Sequence, residues 1–260
     1  MSSEEITSEV KRDYIHHLAS KGQRQDSRAM DEYRKIELVP NFIPNSCGST
    51  FVKFGATQVI AGVSLAVGTP YPDQPASGTL MTGAELVPLA SPMFESGPPS
   101  PASVEIARVV DRGIRESKAI DFDKLCITAK EAVWMVMVDL HVLDYDGNLF
   151  DSCSLAAISA LQNARMPKYE DGKVIRNEFT GPLPVNKTPV ECTFVKIGST
   201  LMLDPILAEE QAMDARLTVA TTEDRLCAMQ KGGKGSFTLK EVEDLIDLSF
   251  VKGKELRKLL

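Results

Sequence analysis

The spacing of apolar residues predicts two helices in the first half of the chain. One covers residues 2–21 and is expected to dock against the rest of the protein, with Gly22 as its stop signal. Its apolar stripe, at steps of four residues, consists of Ile6, Val10, Tyr14 and Leu18. A second helical pattern runs over residues 102–118.

Two further helices are predicted in the second half. Asp151 or Ser152 can cap the third helix, which runs to about Arg165. Thr238 followed by Glu241 is a capping-box signature that opens the last helix. The expected buried stripes are Leu155, Ile158 and Leu161 in the third helix and Val242, Leu245, Ile246 and Phe250 in the last.

Alternation and β-branched residues predict strands between these helices. STFVKF and TQVIAGVSLAV, separated by Gly55 and Ala56, form a hairpin, and one strand at 85–89 interrupts loops that are rich in Pro, Gly and Ser over 68–100. The remaining strands of the first half are predicted at 36–39, 125–128 and 132–143. A meander of short strands follows at 190–197, 200–203, 215–220 and 226–230.

The stretch 167–189 is the best candidate for a boundary between two parts of the chain. It contains four prolines, charged residues and glycine, but no apolar period. The predicted organisation is an N-terminal helix and arm (1–28), a first domain (29–168), a linker (169–189) and a second domain (190–260).

Composition limits the classes of function. The 43% hydrophobic content of 260 residues supports a substantial core, and the acidic, polar N-terminus and the lack of ~18-residue apolar runs predict a cytoplasmic protein without membrane contact. The formal net charge of −7 argues against a general nucleic-acid coat, so any nucleic-acid contact must be local. The five scattered cysteines form no zinc-ligand pattern.

Three arginines form a cationic row on one face of the helix predicted over 102–118. At about 100° per residue, Arg108, Arg112 and Arg115 fall within about 60° of one another, opposite the apolar face. Guanidinium groups bind phosphate through two parallel hydrogen bonds, so the row suits an anionic polymer. The spacing leaves open a second interpretation, in which neighbouring acids neutralise the row as solvated surface pairs. Those acids are Glu105, Asp111 and Glu116.

Two groups of acidic residues resemble cation sites but are better explained otherwise. The first surrounds the turn LDYDGNLFD, which lacks the twelve-residue calcium pattern and fits a hairpin turn with a helix cap. The second lies near predicted strand ends, where acids are more often solvated. The groups are Asp144, Asp146 and Asp151, and Asp204, Glu209, Glu210 and Asp214. No metal site and no cofactor is predicted.

The order of motifs along the chain resembles the RNase PH family of phosphorolytic exoribonucleases, over almost the whole length. Arg24, Asp26 and Arg28 in RQDSR, and then Arg34, begin the series. The motifs that follow are CGSTFVKFGATQVIAGV, VEIARVVDRGIRESKAID, LHVLDYDGNLFDSCSLAA and LMLDPILAEEQAMDA. LMLDPILAEEQAMDA and KGGKGSFT look most like the non-catalytic RNase PH-like subunit of the archaeal exosome ring.

The resemblance implies an α/β (α+β) fold in two parts, with mixed sheets and flanking helices. It also implies a hexameric ring of three heterodimers, in which this chain alternates with a catalytic RNase PH-like subunit and RNA passes through the centre. RNA-binding cap subunits are further expected partners. The arginine helix matches the family's RNA-contacting helix, so RNA binding is expected at Arg108 and Arg112, and with less support at Arg115.

The same resemblance implies that this chain lacks its own active site, so no catalytic residue is predicted. Active members bind phosphate with a Gly-Ser/Thr-Arg segment at a helix start. The matching segment here, residues 147–151, contains no arginine and ends on Asp151. Asp204 matches the first acidic position of active members, whereas Glu210 replaces a second aspartate, which leaves a vestigial acidic site.

Three functions are therefore weighed. The preferred one is a non-catalytic subunit of a phosphorolytic 3′–5′ exoribonuclease ring that binds RNA and helps to structure its partner's active site. The runner-up is a phosphorolytic exoribonuclease that is active in its own right through Asp204. The third is a purely structural ring component without RNA contact.

Overall fold

The computed structural model describes the backbone of residues 3–260 and the side chains of residues 9–175 and 178–260. The helices are α1 (Ser3–Ser20), α2 (Pro101–Glu116), α3 (Leu149–Gln162), α4 (Leu207–Ala212) and α5 (Leu239–Arg257). The first-half strands are β1 (Ile36–Pro40), β2 (Gly48–Phe54), β3 (Thr57–Gly68), β4 (Thr79–Leu86), β5 (Cys126–Thr128) and β6 (Ala132–Asp144). The others are β7 (Arg165–Glu170), β8 (Lys173–Pro182), β9 (Val190–Ile197), β10 (Thr200–Leu203), β11 (Ala215–Thr221) and β12 (Leu226–Gly233).

The first half of the chain forms a mixed sheet of six strands. Its main path is β1-β2-β3-β6-β4, and β5 pairs with β6. All pairs are antiparallel except β4 with β6. Alternate residues of β6, among them Val136, Val138 and Leu140, are fully buried, as expected for a strand with one face on the core.

A second sheet, in the order β10-β9-β11-β12, forms the other part of the molecule. α3 contacts β2, β3 and β6 of the first sheet as well as β9 of the second. Every residue of α3 from Leu149 to Leu161 is buried, so this helix lies between the two sheets. The predicted α+β fold of mixed sheets with flanking helices is confirmed, and one apolar cluster extends through both sheets.

The later helices largely confirm their predicted faces. Thr238 and Glu241 form the capping box of α5, and Leu245 is buried. α3, however, begins after Asn148, which is its N-cap in place of the predicted Asp151 or Ser152. Asn148 has a positive φ of 56°, a conformation that asparagine tolerates better than most residues.

The apolar stripe predicted for α1 is wrong in its phase. Val10 and Tyr14 are exposed, whereas Ile15 and Ala19 are buried against the second sheet. The side chain of Ile6, the first member of the predicted stripe, lies outside the described residues. α1 still docks on the protein as expected, because it packs against α4. Among the residues described here, no helix is long and apolar enough to cross a membrane.

Two strand predictions also need correction. The strand expected at 85–89 is β4, which begins six residues earlier at Thr79 and pairs with the centre of β6. The stretch 167–189 is not an irregular linker, because β7 and β8 form a hairpin within it. Register shifts on both sides of Pro167 interrupt the alternation of this hairpin, which removes the apolar period from the sequence.

Candidate functional site

The arginine row lies on the solvent face of α2, as the helical spacing predicted. Ser100 caps the helix, because its hydroxyl accepts a hydrogen bond of 3.2 Å from the backbone N–H of Ser103. The side chains of Arg108, Arg112 and Arg115 are exposed. The buried face of the helix includes the predicted Ile106, Val110, Gly113 and Ile114.

The neighbouring acids neutralise one end of the row only. The Arg115 guanidinium donates to both carboxylate oxygens of Asp111, at 2.9 and 3.0 Å, and to the carbonyl of Leu80. Glu105 is turned away from the row, because its carboxylate accepts a hydrogen bond of 2.7 Å from Arg216 in β11. The interpretation of the row as solvated surface pairs therefore holds for Arg115, which is paired with Asp111.

Arg108 and Arg112 have no ion-pair partner among the residues that the structure describes. Together with Gln230 they border an open cleft of about 590 Å³ at the start of α2. On its other side, Arg108 borders a second cleft of about 300 Å³, which His141 also lines. Two unpaired guanidinium groups thus face spaces large enough for parts of a ligand.

Asp204 lies at the centre of a buried cluster of arginines. Arg34 donates three hydrogen bonds to its carboxylate, two from the guanidinium at 2.8 and 3.0 Å and one from its backbone N–H at 2.9 Å. Arg28 adds a hydrogen bond of 3.0 Å, and the side-chain amide of Asn148 one of 2.7 Å. Burial alone would raise the pKa of Asp204, but the hydrogen bonds and charge of Arg34 outweigh it and hold the pKa below its ordinary value.

Asp204 and Glu209 are not solvated, contrary to the prediction, whereas Glu210 and Asp214 are partly exposed. Asp204 is 0% and Glu209 1% exposed. Arg24, which is itself buried, binds the carboxylate of Glu209 through two nitrogens and also donates to the carbonyl oxygens of Leu203 and Asp204. Asp204 and Glu209 therefore each have an arginine partner, which is the usual condition for a charge in a protein interior.

Glu210 binds the loop that precedes α3. Its Oε1 accepts a hydrogen bond of 2.8 Å from the backbone N–H of Asn148, and its Oε2 accepts one of 2.6 Å from the Tyr145 hydroxyl. Burial raises the pKa of Glu210, and these two donors oppose the rise. The carboxylate of Glu210 thus accepts a hydrogen bond from a backbone N–H at the start of α3. The start of a helix is a position at which anions often bind.

The same loop is fixed on its other side by close backbone packing. Gly147 has a φ of +84°, and a Cβ at this position would lie 2.5 Å from the carbonyl oxygen of Pro205 and from the carbonyl carbon of Ile206. Only glycine fits both requirements. The carbonyl of Gly147 accepts a hydrogen bond of 2.7 Å from the Thr57 hydroxyl.

The three aspartates around the loop do not converge on one point. Asp151 is fully buried and accepts hydrogen bonds from the hydroxyl (2.7 Å) and backbone N–H (3.0 Å) of Thr193. Burial raises the pKa of Asp151 to about 7. Asp146 lies 3.6 Å from Arg34, and Asp144 accepts from the N–H of Tyr145. The turn joins β6 to α3 and is therefore not the predicted hairpin turn.

Several residues of the site had no predicted role. Arg24, Arg28 and Arg34 were visible only as members of a motif, and their common target, the region of Asp204, lies some 170 residues further on. Arg216 was not singled out, although it binds Glu105 and places its guanidinium carbon 4.0 Å from the ring centroid of Phe150. Such contacts between distant segments leave no local pattern in the sequence.

No group of three or more His, Cys, Asp or Glu side chains that could hold a metal ion is found in the described part of the chain.

Family models match both parts of the protein. The model for domain 1 of the 3′ exoribonuclease family, RNase PH, matches residues 32–167, and the model for domain 2 matches residues 187–252.

Curated relatives and solved structures agree with this match. "Exosome complex component Rrp42" of Thermococcus gammatolerans is 48% identical over 265 residues, which cover 100% of this chain and 97% of the relative. The protein of the same name from Thermoplasma volcanium is 48% identical over 257 residues, covering 98% and 97%. A chain of the "archaeoglobus fulgidus exosome with RNA bound to the active site" superimposes with a TM-score of 0.91 at 44% identity, covering 97% of this chain and 98% of that one. This protein therefore belongs to the RNase PH family of 3′ exoribonucleases.

Proposed function

We propose that this chain is a non-catalytic subunit of a phosphorolytic 3′–5′ exoribonuclease ring. It binds RNA phosphates through Arg108 and Arg112 and completes the active site of a catalytic neighbour. The names of its relatives, exosome components that share close to half of its residues, support the assembly. The solved exosome with bound RNA supports the ligand.

One observation carries the non-catalytic part of the proposal: the Asn148 N–H is bound to the carboxylate of Glu210. Phosphorolysis requires an anionic phosphate to approach an anionic phosphodiester, so the phosphate needs backbone donors and a cation. Here the donor already has an anion as its partner, and the segment that follows contains no arginine. An incoming phosphate would meet the like charge of Glu210.

Asp204 is equally unsuited to act in catalysis. Its carboxylate accepts five hydrogen bonds, from Arg34, Arg28 and Asn148, and its side chain is fully buried. A general acid or base must reach a reacting proton, directly or through one water. Asp204 instead holds Arg28 and Arg34, which lie between α1 and β1, against the loop, which is a structural role.

RNA binding is assigned to the two unpaired arginines of α2. A guanidinium without an intramolecular partner can give both parallel hydrogen bonds to a phosphate oxygen pair. The net charge of −7 makes such a local site the only kind that is consistent with the composition. Arg115, which is paired with Asp111, contributes less.

The ring is proposed to contain three heterodimers of this chain and a catalytic RNase PH-like subunit, with RNA-binding cap subunits above the channel. α1 offers a contact surface to a partner, because Val10 and Tyr14 are 64% and 53% exposed on a helix whose other side is docked. Exposed apolar side chains on a fixed helix are typical of protein interfaces.

The RNA-binding part is tested on the reconstituted ring by measuring RNA affinity as a function of salt concentration. Replacing both Arg108 and Arg112 with alanine should reduce the slope of log affinity against log salt by about 1.4, at about 0.7 for each lost phosphate contact to single-stranded RNA. Arg115→Ala is the matched control and should change the slope less. An unchanged slope in the double variant would favour a purely structural ring component.

A further inference from the structure

A carboxyl group is buried without a hydrogen-bond partner directly beneath the arginine helix. Glu191, in β9, is 1% exposed, and within the described part of the chain neither carboxyl oxygen has a partner. α2 comes so close that a Cβ on Gly113 would lie 2.9 Å from Glu191 Oε1. Because an unpaired carboxylate is very costly in a protein interior, its presence beneath α2 requires a physical reason.

The groups around Glu191 favour its neutral form. Asp151 and Cys153 face it from α3, Cys192 follows it in β9, and Arg112 faces it from α2. β11 and β12 contribute only uncharged side chains to this site. Burial raises the pKa of Glu191 well above its ordinary value, Asp151 raises it further, and Arg112 alone opposes them. These surroundings therefore stabilise the carboxylic acid, relative to the carboxylate, more than water does for an exposed glutamate.

A small cavity connects this carboxyl group to one of the two unpaired arginines. Its volume is about 10 Å³, and it is lined by Glu191 and Arg112 together with Thr218 and Gln230. A space of this size corresponds to roughly one water molecule. The side chain of Arg112 lines the same cavity and is also exposed to solvent. Its charge acts on Glu191.

We propose that Glu191 is a positioning residue for RNA binding: its neutral carboxyl leaves Arg112 free to reach a phosphate, and its carboxylate draws the guanidinium back towards the cavity. The proposal rests on the function assigned to Arg112 above. An RNA phosphate and an ionised Glu191 compete for one guanidinium. By linkage, RNA binding then favours the protonated acid, and loss of that proton weakens RNA binding.

The test is the pH profile of RNA affinity for the reconstituted ring, in wild type and in Glu191→Gln. Glutamine has the shape of the neutral acid and does not titrate. As the pH rises through the raised folded-state pKa of Glu191, the wild type should lose about five- to tenfold more affinity than the variant, the lower range of coupling between two linked sites. Titrating groups remote from Glu191 affect both proteins equally. Parallel profiles would overturn the proposal.

Arginine variants show whether Glu191 acts through Arg112. In an Arg112→Ala background, Glu191→Gln should no longer change the pH profile, whereas in an Arg108→Ala background it should still flatten it. An effect of Glu191→Gln that persists without Arg112 contradicts the proposal. If Arg112→Ala leaves RNA affinity unchanged, the proposed function of Arg112 fails instead.

An RNA-free measurement separates these two failures. Infrared spectra of the full chain should contain the carbonyl stretch of protonated carboxylic acids at about pH 7, where exposed carboxyl groups are ionised. Asp151, with a pKa of about 7, also contributes to this band, so the band should be weaker in Glu191→Gln than in the wild type. Arg112→Ala changes an exposed residue and should shift the loss of the Glu191 band to higher pH, because it removes the cation that lowers the pKa of Glu191. A band of equal intensity in the wild type and in Glu191→Gln, or a titration unmoved by Arg112→Ala, overturns the inference independently of RNA.

Discussion

The backbone N–H of Asn148 donates a hydrogen bond of 2.8 Å to Oε1 of Glu210. These residues lie 62 positions apart, and the contact joins the loop before α3 to α4. In a phosphorolytic subunit the loop needs its backbone donors for phosphate. Here a carboxylate from the same chain satisfies the Asn148 donor, which supports the proposed non-catalytic role.

Removal of this carboxylate should destabilise the protein. Glu210→Ala leaves the Asn148 N–H and the Tyr145 hydroxyl without their acceptor, and should lower the free energy of unfolding by about 1–3 kcal/mol. Urea denaturation measures the change. Tyr145→Phe removes one of the two hydrogen bonds and should cost about 1 kcal/mol. The exposed Glu95→Ala is the control, and a Glu210→Ala loss no larger than that of the control would contradict this account.

Asp204 should make stability depend on pH in the acid range. Its folded-state pKa is depressed, mainly because the hydrogen bonds and charge of Arg34 outweigh burial, so its contribution is present above the unfolded pKa of about 3.9 and is lost as the pH falls through the folded value. Asp204→Asn should lower stability by about 3 kcal/mol near neutral pH, the cost of breaking a buried ion pair. The difference from wild type should shrink in acid.

Urea denaturation from about pH 7 down to about pH 3 checks this, since it spans the unfolded pKa of an aspartate. The exposed Asp73→Asn serves as the control and should follow the wild type throughout. A deficit for Asp204→Asn that stays constant over the whole pH range would mean that the ion pair with Arg34 does not cause it.

Gly147 should tolerate substitution far less than another glycine of similar conformation. Gly147→Ala places a Cβ 2.5 Å from backbone atoms of the segment before α4, at a φ of +84°. The positive φ should cost about 1–2 kcal/mol, and the overlap about 1–3 kcal/mol more. Gly172, with a φ of +76° and nothing within 4 Å of its notional Cβ, isolates the first cost. Equal melting temperatures for the two variants would exclude close packing at Gly147.

The parts of the fold that were predicted from sequence are those with a local pattern. The arginine face of α2 follows from the helical period, and the capping box of α5 from two residues three positions apart. β7 and β8 were missed because irregular register around Pro167 hides their alternation. β4 was misplaced because its N-terminal part, Thr79 to Gly83, has only two large apolar residues, next to each other and without alternation, in an edge strand.

The exposed residues of the site could be predicted from the sequence, whereas the contacts between its buried residues could not. The helical spacing of α2 is enough to predict that Arg108 and Arg112 are exposed. Glu105 does not neutralise them because it binds Arg216, which lies more than 100 residues later in the chain. The prediction that Asp204 and Glu209 are solvated failed for the same reason. The arginine partners of Asp204 and Glu209 come from the segment between α1 and β1, and a single sequence does not reveal that pairing.

The central claim, that this chain cannot carry out phosphorolysis alone, is tested most directly by an activity assay. The purified chain is incubated with RNA and inorganic phosphate, and the release of nucleoside diphosphates is measured with and without a catalytic RNase PH-like partner. The account predicts no phosphate-dependent release by the chain alone and robust release by the assembled ring. Phosphate-dependent turnover by the chain alone would contradict it.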